Sequence, residues 1–298
     1  MSKIKNKSAE KSSIAAVGVI TGGIAVGLTI FMSATANSLA LWADCAATIL
    51  DFIAVFIAWQ GFKKVESKST EFFNYGYGKF ESFSSLGMAV LMVVSFFCIM
   101  TVAVIRFGNP VPVAGVGVII GIGAHLIFGV VNGNLFFKSL QLERKDKSAL
   151  ISAQRRIYMV KFSANVIMFV SLISSYFLHQ FKWAMYADPV AATIIALMIL
   201  ASATKIFRYS TRDLLDYALE EQSQLLILRS LAHHFDQYED IQNIRTRVSG
   251  GKIYVELFLE FDGELKHSEV MNSAVSIQKE IIDLLKCDEV LIIPVKEK

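Results

Sequence analysis

Apolar residues run in long stretches from Ser13 to Phe207, and from Tyr209 onward the chain turns to short periodicities broken by charge. A helix needs roughly 20 mostly apolar residues to cross the hydrocarbon core of a bilayer. Six stretches meet that length: approximately 13–34, 38–62, 80–105, 111–137, 157–179 and 186–207. The first is not a cleaved signal peptide, because its apolar core is long and a second span follows almost at once. In the tail, residues 220–238 carry Leu225, Leu228 and Leu231 at helical spacing, with Leu226 and Ile227 widening the apolar face. Ile253, Val255, Leu257, Leu259 and Phe261 alternate strictly, the pattern of a strand with one buried face. Residues 241–248 read as its partner, joined through Ser249-Gly250-Gly251, a sequence suited to a hairpin turn. Residues 268–286 place Val270, Ala274, Ile277, Ile281 and Leu284 on one helical side, and 290–294 form a last strand. The pattern predicts an α-helical membrane protein with a basic N-terminal tail at 1–12, six transmembrane helices within 13–208, and a C-terminal α+β domain at 209–298 ordered α-β-β-α-β.

Charge orients these elements. Lys3, Lys5, Lys7 and Lys11 precede the first span, and Lys63, Lys64, Lys68 and Lys79 fill the second connection. Lys138, Arg144, Lys145, Lys147, Arg155 and Arg156 fill the fourth, and Lys205, Arg208 and Arg212 follow the last span. The other side has Arg106 and Lys182. Basic residues stay cytoplasmic, which predicts that both termini and the tail domain are cytoplasmic and that a bacterial inner membrane is the home. Hydrophobic residues make up 54% of the chain and charged residues 18%, below the roughly 25% charged of soluble chains. The net charge of +3 comes from these loops and gives no reason to invoke nucleic acid. Cys45, Cys98 and Cys287 are too few and scattered for a disulfide framework or a thiolate zinc site. No nucleophile–base constellation or phosphate loop points to an enzyme.

An ionisable side chain deep in a bilayer costs about 2.5–3.5 kcal/mol even on lenient insertion scales, so the polar residues within the spans call for a role. Asp44 and Asp51 share a face of the second helix, two turns and about 10.5 Å apart. Asp51 sits near mid-span, and a functional or paired role is expected of it. Lys161 and Asn165 share a face of the fifth helix at i, i+4 spacing. Gly117, Gly121, His125, Gly129 and Gly133 recur at every fourth position of the fourth, a ridge for close helix contact with one imidazole in it. Alternatives stand beside three of these. Asp44 belongs either to a transport face or to the outer interface, and Lys161 either to the site or beside Arg155 and Arg156 with its head at the interface. His125 is either a proton carrier or a hydrogen-bonded packing residue. Cys45 reads as a small apolar filler, and His233-His234 as a solvated pair on the tail helix.

The chain resembles the cation diffusion facilitator family of divalent metal/proton antiporters. The resemblance is carried by Ser38-Leu-Ala-Leu-Trp-Ala-Asp44 with the later Asp51, by Tyr75-Gly76-Tyr77-Gly78-Lys79-Phe80-Glu81, by Ala187-Asp188-Pro189, and by Ile244-Arg245-Thr246-Arg247 before Ser249-Gly250. It implies a homodimer formed through membrane helices and a metallochaperone-like, ferredoxin-like tail, embedded in the lipid bilayer. It also implies export of a divalent cation against protons. No permanently bound cofactor is implied; the divalent metal cation is substrate. The family's central site takes two ligands from the second helix and two from the fifth. Carboxylate and imidazole bind a dication only when deprotonated, so metal and protons compete for one site.

This sequence departs from that site. The resemblance puts the ligand positions at Ala47, Asp51, Lys161 and Asn165; a register anchored on Ser148-Ala149-Leu150 would put the last two at Arg156 and Val160. The accessory positions fall on Thr70, Phe73 and Tyr77, and the tail positions on Gln242, Phe258 and Met271. The expected reading is an exchanger with a rebuilt, oxygen-rich site of Asp51 and Asn165, with Asp44, Thr48 or Ser163 as further ligands and Lys161 and His125 as proton-coupling candidates. The alternative is a transport-inactive partner subunit, forming a hetero-oligomer with another family member, in which Asp51 and Lys161 are a structural ion pair.

Overall fold

The computed structural model describes residues 2–36, 39–65, 71–73, 75–110, 116–145, 148–178, 180–287 and 289–296; for 2–12, 32–36, 39–44, 116–118, 145, 175–176 and 182 the description is of backbone alone. The chain divides into two compact units, Met1–Thr211 and Arg212–Lys298.

The first unit holds helices α1 (Ser2–Ala36), α2 (Leu39–Val65), α3 (Gly78–Gly108), α4 (Val116–Lys145), α5 (Ala149–Phe177) and α6 (Ala187–Leu214), the last entered through a 3-10 turn at Lys182–Tyr186. All six are long and apolar enough to cross a membrane. The basic N-terminal tail is helical and continuous with the first span, whose apolar part begins at Ser13, where the sequence reading starts it. The fourth connection is far shorter than expected: Lys138, Arg144 and Lys145 lie on α4, and Arg155 and Arg156 on α5. Ser148 explains where α5 starts. Its backbone is extended, and its Oγ accepts the Ile151 N–H at 3.2 Å, a side-chain cap for donors that a helix start leaves unpaired. The same hydroxyl donates to buried Glu81 in the first turn of α3.

Helices α3 and α6 run antiparallel and are tied at both ends. The Ser85 and Ser210 hydroxyls meet at 2.6 Å near one end, and Arg106 pairs with Asp188 at the other. Small residues let helices approach closely where no water-driven force separates them from lipid. A Cβ on Gly61 would lie 2.8 Å from Ser84 Oγ of α3 and 2.9 Å from Leu150 Cδ2 of α5. On α4 the glycine ridge faces α5: Gly121 stands against Leu172, Gly129 against Asn165 and Gly133 against the Phe162 ring. The interior between helices is filled by Ala54, Val55, Ala58, Met88, Ile157, Tyr158 and Ile199. Phe83, Val90, Phe97 and Val104, seven apart on α3, face outward.

The second unit contains α7 (Glu221–His233), β1 (Asp240–Ser249), β2 (Lys252–Glu260), α8 (His267–Leu285) and β3 (Glu289–Val295). Strand β2 is central, antiparallel to β1 and parallel to β3. The β1–β2 turn is Gly250-Gly251, both with positive φ, the backbone that a two-residue hairpin loop needs to match strand twist. Val255, Leu257 and Leu259 point inward against Ile277 and Ile281 of α8 and Ile227 and Leu231 of α7. Each such side chain contributes roughly 1.5–3 kcal/mol on burial. Leu225, Leu228 and Leu284, expected on the apolar faces, are exposed. Helix α7 also ends at His233 rather than near Tyr238. A 3-10 turn at Phe235–Gln237 follows it, and the Tyr238 hydroxyl folds back to donate to the Leu231 carbonyl at 3.0 Å.

Candidate transport site

Asp51 of α2 meets Lys161 of α5, with Lys161 Nζ 3.4 Å from Asp51 Oδ2. The Lys161 side chain is 17% exposed and that of Asp51 36%. At an effective dielectric near 20, charges this close attract with a gross energy of roughly 5 kcal/mol, from which the cost of removing both from water is subtracted. Lys161 therefore turns its head to Asp51 rather than to the helix end beside Arg155 and Arg156; there Arg155 pairs with Glu143, which also accepts the Ser152 hydroxyl at 2.6 Å.

Asn165, one turn along α5, donates through Nδ2 to the Lys161 carbonyl at 2.7 Å. A carbonyl oxygen only accepts, so the amide orientation follows, and Asn165 Oδ1 turns toward His125 Nδ1 of α4 at 3.0 Å. Nδ1 then carries the proton, and in the neutral ring Nε2 holds the free lone pair. Four of the polar residues singled out in the sequence thus meet across three helices: Asp51 with the Lys161 side chain, and His125 with Asn165, whose amide holds the Lys161 backbone carbonyl. His125 reaches Asn165 because the α4 ridge brings the two helices together, with Gly129 facing the Asn165 Cβ at 3.6 Å.

The other expected positions contribute differently. Ala47 is buried and offers no donor atom. Thr48 and Ser163 are half-buried. The Asp44 side chain and Thr70 lie outside the described residues. Phe73 lies against Tyr77 at 4.8 Å between centroids, and Lys64 Nζ lies 4.3 Å over the Tyr77 ring; these two accessory positions are taken up by aromatic packing. In the tail, Gln242 donates to Glu260 at 3.0 Å, Arg245 covers the Phe258 ring, and Met271 is exposed.

A different cluster stands in that unit. His233, His234 and Glu280 of α8 bring one ligand atom each within 4.8 Å of the others, the one such group among the described residues. His233-His234 is therefore not a solvated pair on a helix: His234 lies past the end of α7, 11% exposed, with Nε2 2.5 Å from Glu280 Oε2. Burial pushes the Glu280 carboxyl upward, but the hydrogen bonds and charges of His234 and His233 outweigh it and hold the group below its usual range. Glu280 had no signal in the sequence, since it sits 46 residues from His234.

Residues 13–215 match the sequence model of the cation efflux transmembrane domain, and residues 221–292 that of the cation efflux protein cytoplasmic domain. The chain belongs to the cation diffusion facilitator family. Relatives include protein p34 of Rickettsia rickettsii, 26% identical over 53% of this chain and 50% of its own, and a cadmium, cobalt and zinc/H(+)-K(+) antiporter of Bacillus velezensis, 25% identical over 70% and 63%. The chain thus spans half to under two thirds of the length of these two. The cation-efflux pump FieF of Shewanella oneidensis is 26% identical over 76% of this chain and 72% of its own. As a facilitator-family member with six spanning helices, the chain is an integral membrane protein. Glu81 and Asp188, which carried the family resemblance, act as fasteners here, one holding Ser148 and the other Arg106.

Proposed function

We infer that this protein is a cation efflux transporter that exchanges a divalent metal ion from the cytoplasm for protons, with Asp51 as the carboxylate that takes the ion. The carrying observation is the Asp51–Lys161 contact at 3.4 Å. The ammonium occupies the place beside Asp51 that a dication would need, so binding requires Lys161 to give up its proton or withdraw. A proton leaves as a cation arrives, and the competition is built into one pair of residues. Asn165 Oδ1 and the Nε2 side of His125 supply neutral donors in the same group of contacts, and an oxygen-rich set suits a harder ion than a thiolate site does.

The names of relatives, which attach cadmium, cobalt, zinc, protons and potassium to one and cation efflux to another, support this substrate class. The asymmetry of basic residues supports cytoplasmic termini and a cytoplasmic C-terminal domain, and the bacterial relatives support a bacterial plasma-membrane location. The matched C-terminal model, a dimer domain, supports a homodimer.

Proteoliposome flux with zinc, manganese, iron, cobalt and cadmium, read with an internal pH dye, tests the reading. Wild type is expected to couple metal entry to proton movement, and Asp51→Asn to abolish it. Flux that persists in Asp51→Asn, or silence of the wild type toward every ion, overturns the proposal.

A further inference from the structure

We propose that His233, His234 and Glu280 form a divalent transition-metal site in the C-terminal unit, separate from the positions at which the family resemblance would place tail ligands. Two imidazole nitrogens and a carboxylate oxygen make a three-ligand set of the kind that holds zinc or cobalt with one position open to water. His234 Nε2 is 2.5 Å from Glu280 Oε2, and His233 Nδ1 is 3.4 Å from Glu280 Oε1. In a continuous helix, consecutive side chains point about 100° apart. Here the helix stops at His233, and His234 takes φ −107°, ψ 22°. That departure brings the two rings to 5.6 Å between centroids, both against one carboxylate.

The frame behind the ligands is closely packed. Leu231, one turn before the pair, is fully buried, and its carbonyl is held by Tyr238. Glu280 follows Ile277 by one turn and precedes Ile281, both fully buried. The site also has an entrance: exposure rises from 11% at His234 through 31% at Glu280 to 78% at His233. A metal would reach it from solvent on the His233 side and close onto the two inner ligands. Gln242, Phe258 and Met271 play no part. Bound metal would join the end of α7 to α8 and stabilise the unit by linkage.

The test uses full-length protein in detergent carrying Asp51→Asn, so that binding at the membrane pair does not contribute. Cobalt(II) is titrated at neutral pH while its visible absorption is followed, then displaced with zinc(II). The expected result is one tetrahedral or five-coordinate cobalt per chain. His234→Gln and Glu280→Gln should each weaken it by at least about tenfold, the scale on which even the partners of metal ligands act. His233→Gln, at a side chain 78% exposed, should also weaken it. His267→Gln, elsewhere on the same domain, should leave affinity unchanged. Metal-free melting of each variant separates loss of a ligand from loss of fold. Absence of cobalt binding, or affinity unchanged in His233→Gln and Glu280→Gln, overturns the proposal.

Discussion

Lys161 is the residue on which the candidate site turns. Its ammonium and the Asp51 carboxylate stabilise each other at 3.4 Å, and removing one partner leaves a charge in a poorly solvated place. Asp51→Asn or Lys161→Met alone is expected to lower stability by about 1–3 kcal/mol, less than for a fully buried pair because Asp51 keeps some exposure. The double substitution should recover most of the loss. Thermal unfolding in detergent across this cycle reads the coupling; strictly additive losses would show that the two charges do not act on each other. Asp51, Lys161 and Asn165 were legible from the sequence because a charge or amide within an apolar run stands out. The link from Asn165 to His125 was not, since nothing in the spacing of one helix says which face of its neighbour it meets. Glu280 was hidden for the opposite reason: a glutamate on a charged amphipathic helix looks like any solvated one.

Among elements, the close approaches matter more than the apolar pattern. Gly61 has Ser84 of α3 and Leu150 of α5 within 2.9 Å of where a Cβ would stand, whereas Gly123 has nothing within 4 Å. Gly61→Ala should cost about 1–3 kcal/mol through overpacking, and Gly123→Ala should be neutral or slightly stabilising from helix propensity. Comparative melting of the two proteins checks this, and equal effects would show that α2 has room to shift. Helix existence was readable from hydrophobic length; helix ends were less so. The start of α5 depends on Ser148 serving Ile151 and Glu81 at once. The end of α7 depends on a tyrosine seven residues beyond Leu231 turning back to its carbonyl. Both are contacts that periodicity does not encode.

At the scale of the molecule, the C-terminal unit has a core of its own, with Leu257, Leu259, Ile277 and Ile281 fully buried. Residues 212–298 expressed alone are expected to unfold in one cooperative transition. Burial, and then the charge of Asp240, raises the Tyr238 hydroxyl above its ordinary value. Its contribution is therefore fully present below the usual tyrosine range near pH ~10 and fades as pH rises through the higher folded value. Tyr238→Phe should cost about 1 kcal/mol at neutral pH and remove that part of the alkaline decline; urea melts at pH 7 and above 10 measure both. A broad, non-cooperative melt would show that the unit needs the rest of the chain.

The carboxylate and ammonium of Asp51 and Lys161 sum to zero. Under the proposed exchange, trading one lysine proton for a dication leaves the pair with a net charge of +1. The membrane voltage then exerts no net force on the resting site but pulls on the loaded one, by about 2.3 kcal/mol per 100 mV for a charge crossing the whole field. With the cytoplasm negative, that force opposes the outward step of the loaded carrier and leaves the return of the empty one untouched, so turnover would be electrically asymmetric.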